Sequence, residues 1–253
     1  MRAHCSQTGV IMTKLSEFIK KHHHVRCTCV VAAAGSSQRM GEDKLNIKIG
    51  PAPVLVHTLR ALQACDAIDE IVIVTREDKI EETALLCRNY GILKVSSVLI
   101  GGATRTESAL IGCCAADEKS KIICIHDGAR PFVTDEIIEE AIHNAVLYRA
   151  AAPCVPVKDT IKVGENGVIT ETLERTSLAA MQTPQAFDAD IIKGALTMAY
   201  QSETVYTDDC AAVEALGVKV HLTKGSEENI KITTPLDVEL AKAIYAKRKK
   251  EQQ

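Results

Sequence analysis

Residues Val30 to Lys44 read VVAAAGSSQRMGEDK. A β-branched apolar run ends in a small-residue turn, and Arg39 and Lys44 follow. The run starts earlier, at CTCVVAAA (27–34), which reads as a buried strand. A strand that runs into such a turn opens an α/β unit, where ligands bind beyond the strand's carboxyl end. Only Gly35 and Gly41 are present, so the loop is not G-x-G-x-x-G. Gly41 is followed by Glu42, so it is not a P-loop either. What remains are small residues that let backbone N–H groups approach phosphate oxygens. Arg39 adds a planar fork and Lys44 a point charge. The alternative is a surface loop with two solvated cations.

Working outward, strands and helices alternate. PVLVHTLRALQAC (53–65) carries a helical stripe, IDEIVIVT (68–75) is a strand, and residues 78–90 are helical up to Gly91. LKVSSVLI (93–100) is a strand, 104–116 a helix, KIICIHD (121–127) a strand and 134–149 a helix opened by Thr134 and Glu136. A fifth strand, AAPCVPV, follows. This rhythm predicts an α/β fold: a mostly parallel sheet with right-handed crossovers and helices on both faces. It breaks at VKDTIKVGENGVITETLER (157–175), where two alternating runs flank an Asn-Gly turn. That predicts a β-hairpin arm. An isolated hairpin is marginal in water, so a second subunit is its expected support. Helices at 188–201 and 207–216, a strand GVKVHLT, the apolar run NIKIT and a helix at 235–248 complete the chain. KRKKEQQ reads as a solvated helix end, with cations suited to the helix dipole.

With 253 residues, one large domain over 25–248 with arm 157–175 is expected. Residues 1–24 read as a disordered N-terminal extension with no assigned role, and His22 to His24 as part of a solvated tail, with metal binding as the alternative. Hydrophobic residues make up 46 % of the chain, with 3 % aromatics and no Trp, so Ala, Val, Ile and Leu must build the core. A formal net charge of −3 points to neither nucleic acid nor an anionic membrane surface. No run approaches the roughly 20 apolar residues of a membrane span. The ten cysteines contain no C-x-x-C pair and mostly sit in apolar runs. They read as reduced, buried small hydrophobes of a cytoplasmic protein, with Cys27/Cys29 and Cys113/Cys114 as the only metal or redox alternatives.

Three further stretches fall where strands end or turn. HDGARPF (126–132) places Asp127 after a strand, with Arg130 stiffened by Pro131. Such an Asp can hold a metal or a ribose hydroxyl, or simply cap the turn. GGATRTES (101–108) is a glycine-rich turn that admits a flat ring. EENIKITTP (227–235) puts Lys231 in an otherwise apolar strand, where an edge lysine facing water is the plainer reading.

Taken in order, AAAGSSQRMGEDK, GGATRTES, HDGARP, KDT, LER, QTPQAF, YTDD and ENIKITTP resemble the 2-C-methyl-D-erythritol 4-phosphate cytidylyltransferase family, over about Val25 to Ala246. The resemblance implies a Rossmann-like nucleotidyltransferase fold and CMP transfer from CTP to the sugar-alcohol phosphate, with Mg²⁺, in the nonmevalonate isoprenoid pathway. The ribitol 5-phosphate cytidylyltransferases share most motifs and are the alternative. A non-catalytic nucleotide-binding protein on the same fold is a further one.

By that resemblance Ala33, Ala34 and Gly35 line the CTP site, and Gly102, Ala103 and Ser108 the cytosine pocket. Arg39 and Lys44 stabilise charge on the triphosphate. Asp127 and Arg130 lie near ribose, metal and substrate, with Asp127 as the metal ligand. Thr160 and Arg175 ride on the arm, which crosses to the other subunit of a homodimer. Thr183, Thr207 and Lys231 contact substrate, with Lys231 and Arg175 on the attacking phosphate. The implied partners are CTP and a sugar-alcohol phosphate. The chain departs from the family pattern at Ser37, at Asp43 before the lysine, at Gly128, and at Ala179 and Ala180. Asp43 is expected either to lower the potential beside Lys44 or to face water.

Overall fold

Side chains alternate faces along the three central strands, and this builds two cores from one sheet. In the computed structural model, which describes residues 24–35, 43–204 and 206–251, these strands are β1 (Cys27–Ala33), β4 (Glu70–Thr75) and β6 (Ile122–Asp127). Cys29, Val31, Ile71, Ile73 and Cys124 enter one core, while Val30, Val72, Val74, Ile123 and Ile125 enter the other. Because both faces are covered, the strands read as continuous apolar runs.

The first core is closed by α1 (Val54–Ala64), α2 (Ile80–Asn89), α4 (Asp135–Tyr148) and α7 (Pro235–Glu251). The second is closed by α3 (Arg105–Ala115), α5 (Ala189–Gln201) and α6 (Asp209–Glu214). The sheet also contains β5 (Val95–Ile100), β7 (Ala150–Pro156), β10 (Ala179–Met181), β11 (Gln185–Asp188) and β12 (His221–Lys224). Its order is β10-β7-β11-β6-β1-β4-β5, with β12 also on β7. The β6-β1-β4-β5 half is parallel, as expected.

The other half differs from the sequence reading. β11 lies between β6 and β7 and runs antiparallel to both. β10 runs antiparallel to the carboxyl end of β7. Their sequences, AAM and QAFD, are too short and too interrupted by Pro184 to announce strands. A small pair, β2 (Lys48–Ile49) and β3 (Ala52–Pro53), precedes α1.

The hairpin is present as β8 (Lys162–Glu165) and β9 (Val168–Thr172), a separate two-stranded sheet. Asn166 and Gly167 both have positive φ, 52° and 80°, as a two-residue turn of primed type requires. NIKIT is not a strand; residues 229–233 form an irregular segment. One backbone bond, Ile232 N–H to the Ala129 carbonyl at 2.9 Å, holds it to the 127–130 turn.

The tail is less solvated than expected. Arg248 pairs with Glu228 at 3.0 Å, donates to the Phe132 carbonyl and lies over the Phe132 ring. The described cysteines are all reduced, and most are buried. Burial pushes the Cys29 and Cys113 thiols well above their ordinary range. Among the described residues no cluster of His, Cys, Asp and Glu could hold a metal ion, and no helix is long and apolar enough to cross a membrane. The proposed extension lies outside the described residues except for His24, which pairs with Asp69 at 2.7 Å.

Candidate functional site

Across the sheet, Ala32 is in register with Asp127 and Ala33 with Thr75, so β1, β4 and β6 end side by side. A cavity of about 320 Å³ opens beyond them. Its wall includes Ala34, Gly35, Gly102, Ala103, Arg105 and Ser108. Five of these six are residues singled out in the sequence. Ala33 lies buried just beneath, at the end of β1.

The glycine-rich turn is shaped by its helix. Thr104 caps α3, its hydroxyl accepting from the Glu107 N–H at 3.0 Å, and the Glu107 carboxylate accepts from the Ala103 N–H at 2.7 Å. This is close to a reciprocal capping box. Ser108 Oγ accepts from the Gly102 N–H at 3.1 Å and donates to the Thr104 carbonyl at 2.9 Å. A methyl group on Gly101 would stand 2.8 Å from both the Ala34 Cβ and Ser108 Oγ, so only glycine lets the turn close on the cavity floor. The result is a turn whose Gly102 and Ala103 N–H groups are held by Ser108 and Glu107, on the wall of a cavity large enough for a flat base.

Beside the cavity sits a charged centre. Asp127 Oδ1 accepts from Lys231 Nζ at 2.9 Å, and Oδ2 accepts from Arg130 Nε at 3.0 Å. Arg130 Nη1 also donates to the Asn229 carbonyl at 2.7 Å. Burial pushes the Asp127 carboxyl up, but Lys231 and Arg130 pull it down further, to about 2. The carboxylate is charged throughout the neutral range, and both cations are held at the sheet edge. Thr183 joins this centre: its hydroxyl accepts from the Asp127 N–H at 3.1 Å.

Other residues named in the sequence lie elsewhere. Thr160 and Arg175 are on the exposed arm, where Arg175 donates to the Lys158 carbonyl at 3.1 Å and joins neither the cavity nor the Asp127 centre. Thr207 is exposed, just ahead of α6. Lys44 lies half-buried in the turn that ends the first loop. Arg39 lies outside the described residues, as does Ser37. Asp43 does not simply face water: it lies 3.5 Å from Arg76 and 3.9 Å from Lys79, and accepts from the Leu45 N–H.

Two residues that sequence reasoning passed over stand out. Arg105 makes a two-pronged pair with Asp209, at 2.7 and 2.6 Å. Burial pushes the Asp209 carboxyl up, against the pull of Arg105. Gln185 holds the same end of α6, accepting from the Asp209 and Cys210 N–H groups. Both partners sit inside quoted motifs, GGATRTES and YTDD, but nothing in one sequence says they touch. The other is His126, fully buried against Thr183, with its ring pushed down to about 4 by burial.

A sequence profile of the 2-C-methyl-D-erythritol 4-phosphate cytidylyltransferase family matches residues 27–247. The chain belongs to this family. It is 41 % identical over 223 residues to the cytidylyltransferase of that name from Halalkalibacterium halodurans, covering 87 % of this chain and 97 % of the relative. It is 43 % identical over 221 residues to that from Clostridium novyi, covering 85 % and 94 %. The fold is similar to the crystal structure of 4-diphosphocytidyl-2C-methyl-D-erythritol synthase from Anaerococcus prevotii, with a TM-score of 0.79, 29 % identity, and 88 % and 100 % of the two chains covered. Membership in the family agrees with a mostly parallel nucleotidyltransferase sheet and with the loops gathered at its carboxyl edge.

Proposed function

We propose that this chain transfers CMP from CTP to 2-C-methyl-D-erythritol 4-phosphate, giving the CDP-alcohol and pyrophosphate. The observation that carries the reading is the adjacency of a base-sized slot and a two-cation centre on one sheet edge. A phosphate oxygen of the sugar alcohol attacks the α-phosphorus of CTP. The bond from that phosphorus to the bridging oxygen breaks, and pyrophosphate leaves. Two anions must be brought together, so the protein's task is positioning and charge neutralisation.

In this reading the turn 101–104 and Ser108 hold cytosine, and Ala33 to Gly35 pass beneath the phosphates. Lys44, with Arg39 from the segment outside the described residues, neutralises the triphosphate. Lys231 has three N–H donors, and its contact with Asp127 occupies one. The others serve the incoming phosphate, together with Arg130 and Thr207. Asp127 keeps both cations aimed.

The donor set does not make a resident metal cage. Asp127 is one carboxylate, and each of its oxygens already carries a cation. A divalent cation therefore fits best as part of the substrate, Mg·CTP, held mainly by phosphate oxygens.

The arm supports a homodimer. Val168 and Ile169 are 66 % and 63 % exposed, apolar surface that a free hairpin would leave in water. Packed on a second copy, the arm would carry Thr160 and Arg175 to the partner's phosphate centre. Residues 25–248 then act as one catalytic unit with a projecting arm, in the cytoplasm. Pyrophosphate release with CTP and Mg²⁺ tests the function. Release with methylerythritol 4-phosphate alone is expected. Release with ribitol 5-phosphate alone would move the chain to the sister activity, and release with neither would leave only nucleotide binding.

A further inference from the structure

His126 directly precedes Asp127, yet the proposed reaction gives it no part. Its ring is fully buried, with neither nitrogen on a carboxylate. Nε2 lies 3.3 Å from the Arg130 carbonyl, and Nδ1 lies 3.0 Å from Thr183 Oγ1. A carbonyl only accepts, so Nε2 carries the proton. In a neutral ring Nδ1 is then an acceptor, and the Thr183 hydroxyl must donate to it. The same oxygen accepts from the Asp127 N–H at 3.1 Å. The one proton of Thr183 is thus committed to His126, and the side chain is buried at 5 % exposure. Thr183 has no donor left for a phosphate.

We infer that His126 is a positioning residue, and that Thr183 serves as its relay rather than as a phosphate ligand. One ring braces both ends of the 127–130 turn: Nε2–H holds the Arg130 carbonyl, and Nδ1 holds Asp127 through Thr183. The carboxylate that aims Lys231 and Arg130 is fixed by this brace. The inference rests on reading Asp127, Arg130 and Lys231 as the phosphate-binding centre.

Two measurements test it. Long-range proton–nitrogen NMR of the wild-type histidines reads the His126 tautomer without any activity. A proton on Nε2 is expected, and a proton on Nδ1 would overturn the relay. Kinetics then separate aiming from general damage. His126→Leu should raise KM for the sugar-alcohol phosphate or lower kcat by about ten- to a hundredfold, with KM for CTP unchanged. His126→Asn, whose amide oxygen can stand in for Nδ1, should recover much of that loss.

The double variant His126→Leu/Thr183→Val should be no worse than the poorer single one. Additive losses would mean that Thr183 meets substrate on its own account and would overturn the proposal. So would equal rises in both KM values. A wild-type chain that releases no pyrophosphate would refute the proposed function, while the tautomer would still decide the brace.

Discussion

The Asp127 centre and the hairpin arm are opposites. At the centre, Asp127, Arg130, Lys231, His126 and Thr183 satisfy one another within one chain. On the arm, Val168 and Ile169 stand in water and, among the described residues, Arg175 finds only the Lys158 backbone carbonyl. Both regions were singled out from sequence for the same chemistry. Under the proposed function, the difference teaches that one half of the phosphate grip is built by folding and the other half would need a second molecule.

Lys231→Ala should break the centre most severely, lowering turnover at least about a hundredfold, the loss typical of one transition-state donor. Steady-state pyrophosphate release measures it, and turnover near wild type would remove Lys231 from the reaction. Arg175→Ala and Lys44→Ala should each be strongly impaired alone. Mixed, they should regain activity, because a mixed dimer can assemble one intact site from two defective chains. No recovery on mixing would mean that the arm serves its own subunit.

The centre also has a pH signature. His126 is held at about 4 instead of 6.5 by burial. Between those values the unfolded chain binds a proton that the folded chain refuses, so stability rises with pH across this window. It should be lost as pH falls from 6.5 toward 4, by about 1.4 kcal/mol per pH unit at most. Asp127 adds a second, lower step. With its folded value at about 2, its contribution is present above the ordinary 3.8 and is lost as pH falls through 2. Urea titrations across pH 3 to 7 would show the slope, and a flat profile would contradict the buried neutral ring. The smallest change in stability should come from the arm. Val168→Ser with Ile169→Ser should alter the stability of one chain by no more than about 0.5 kcal/mol, while sedimentation shows the dimer dissociating.

The sequence reading succeeded where a pattern was local. Continuous apolar runs with β-branched residues announced β1, β4 and β6, and Asn166-Gly167 announced the hairpin turn. It failed where pairing was distant or pieces were short. β11 reaches its place between β6 and β7 with four residues and no helix of its own leading in. NIKIT alternates like a strand, but its backbone faces the 127–130 turn, not another strand. Lys231 lies near Asp127 because of that turn, across 104 positions of sequence. The four strand-end stretches were legible as a group because an open parallel sheet gathers its loops at one edge. The pair Arg105–Asp209 was not, since ionic partners far apart leave no periodic trace.

That pair has a consequence for timing. Asp209 is 1 % exposed, and among the described residues Arg105 is the cation paired with it. Pulling α6 away from the cavity wall would part a buried carboxylate from its cation, which is far costlier than parting a surface pair. The cavity wall and the Thr207 segment are therefore assembled together when the chain folds, and any ligand of the cavity meets a seat whose width was decided before it came.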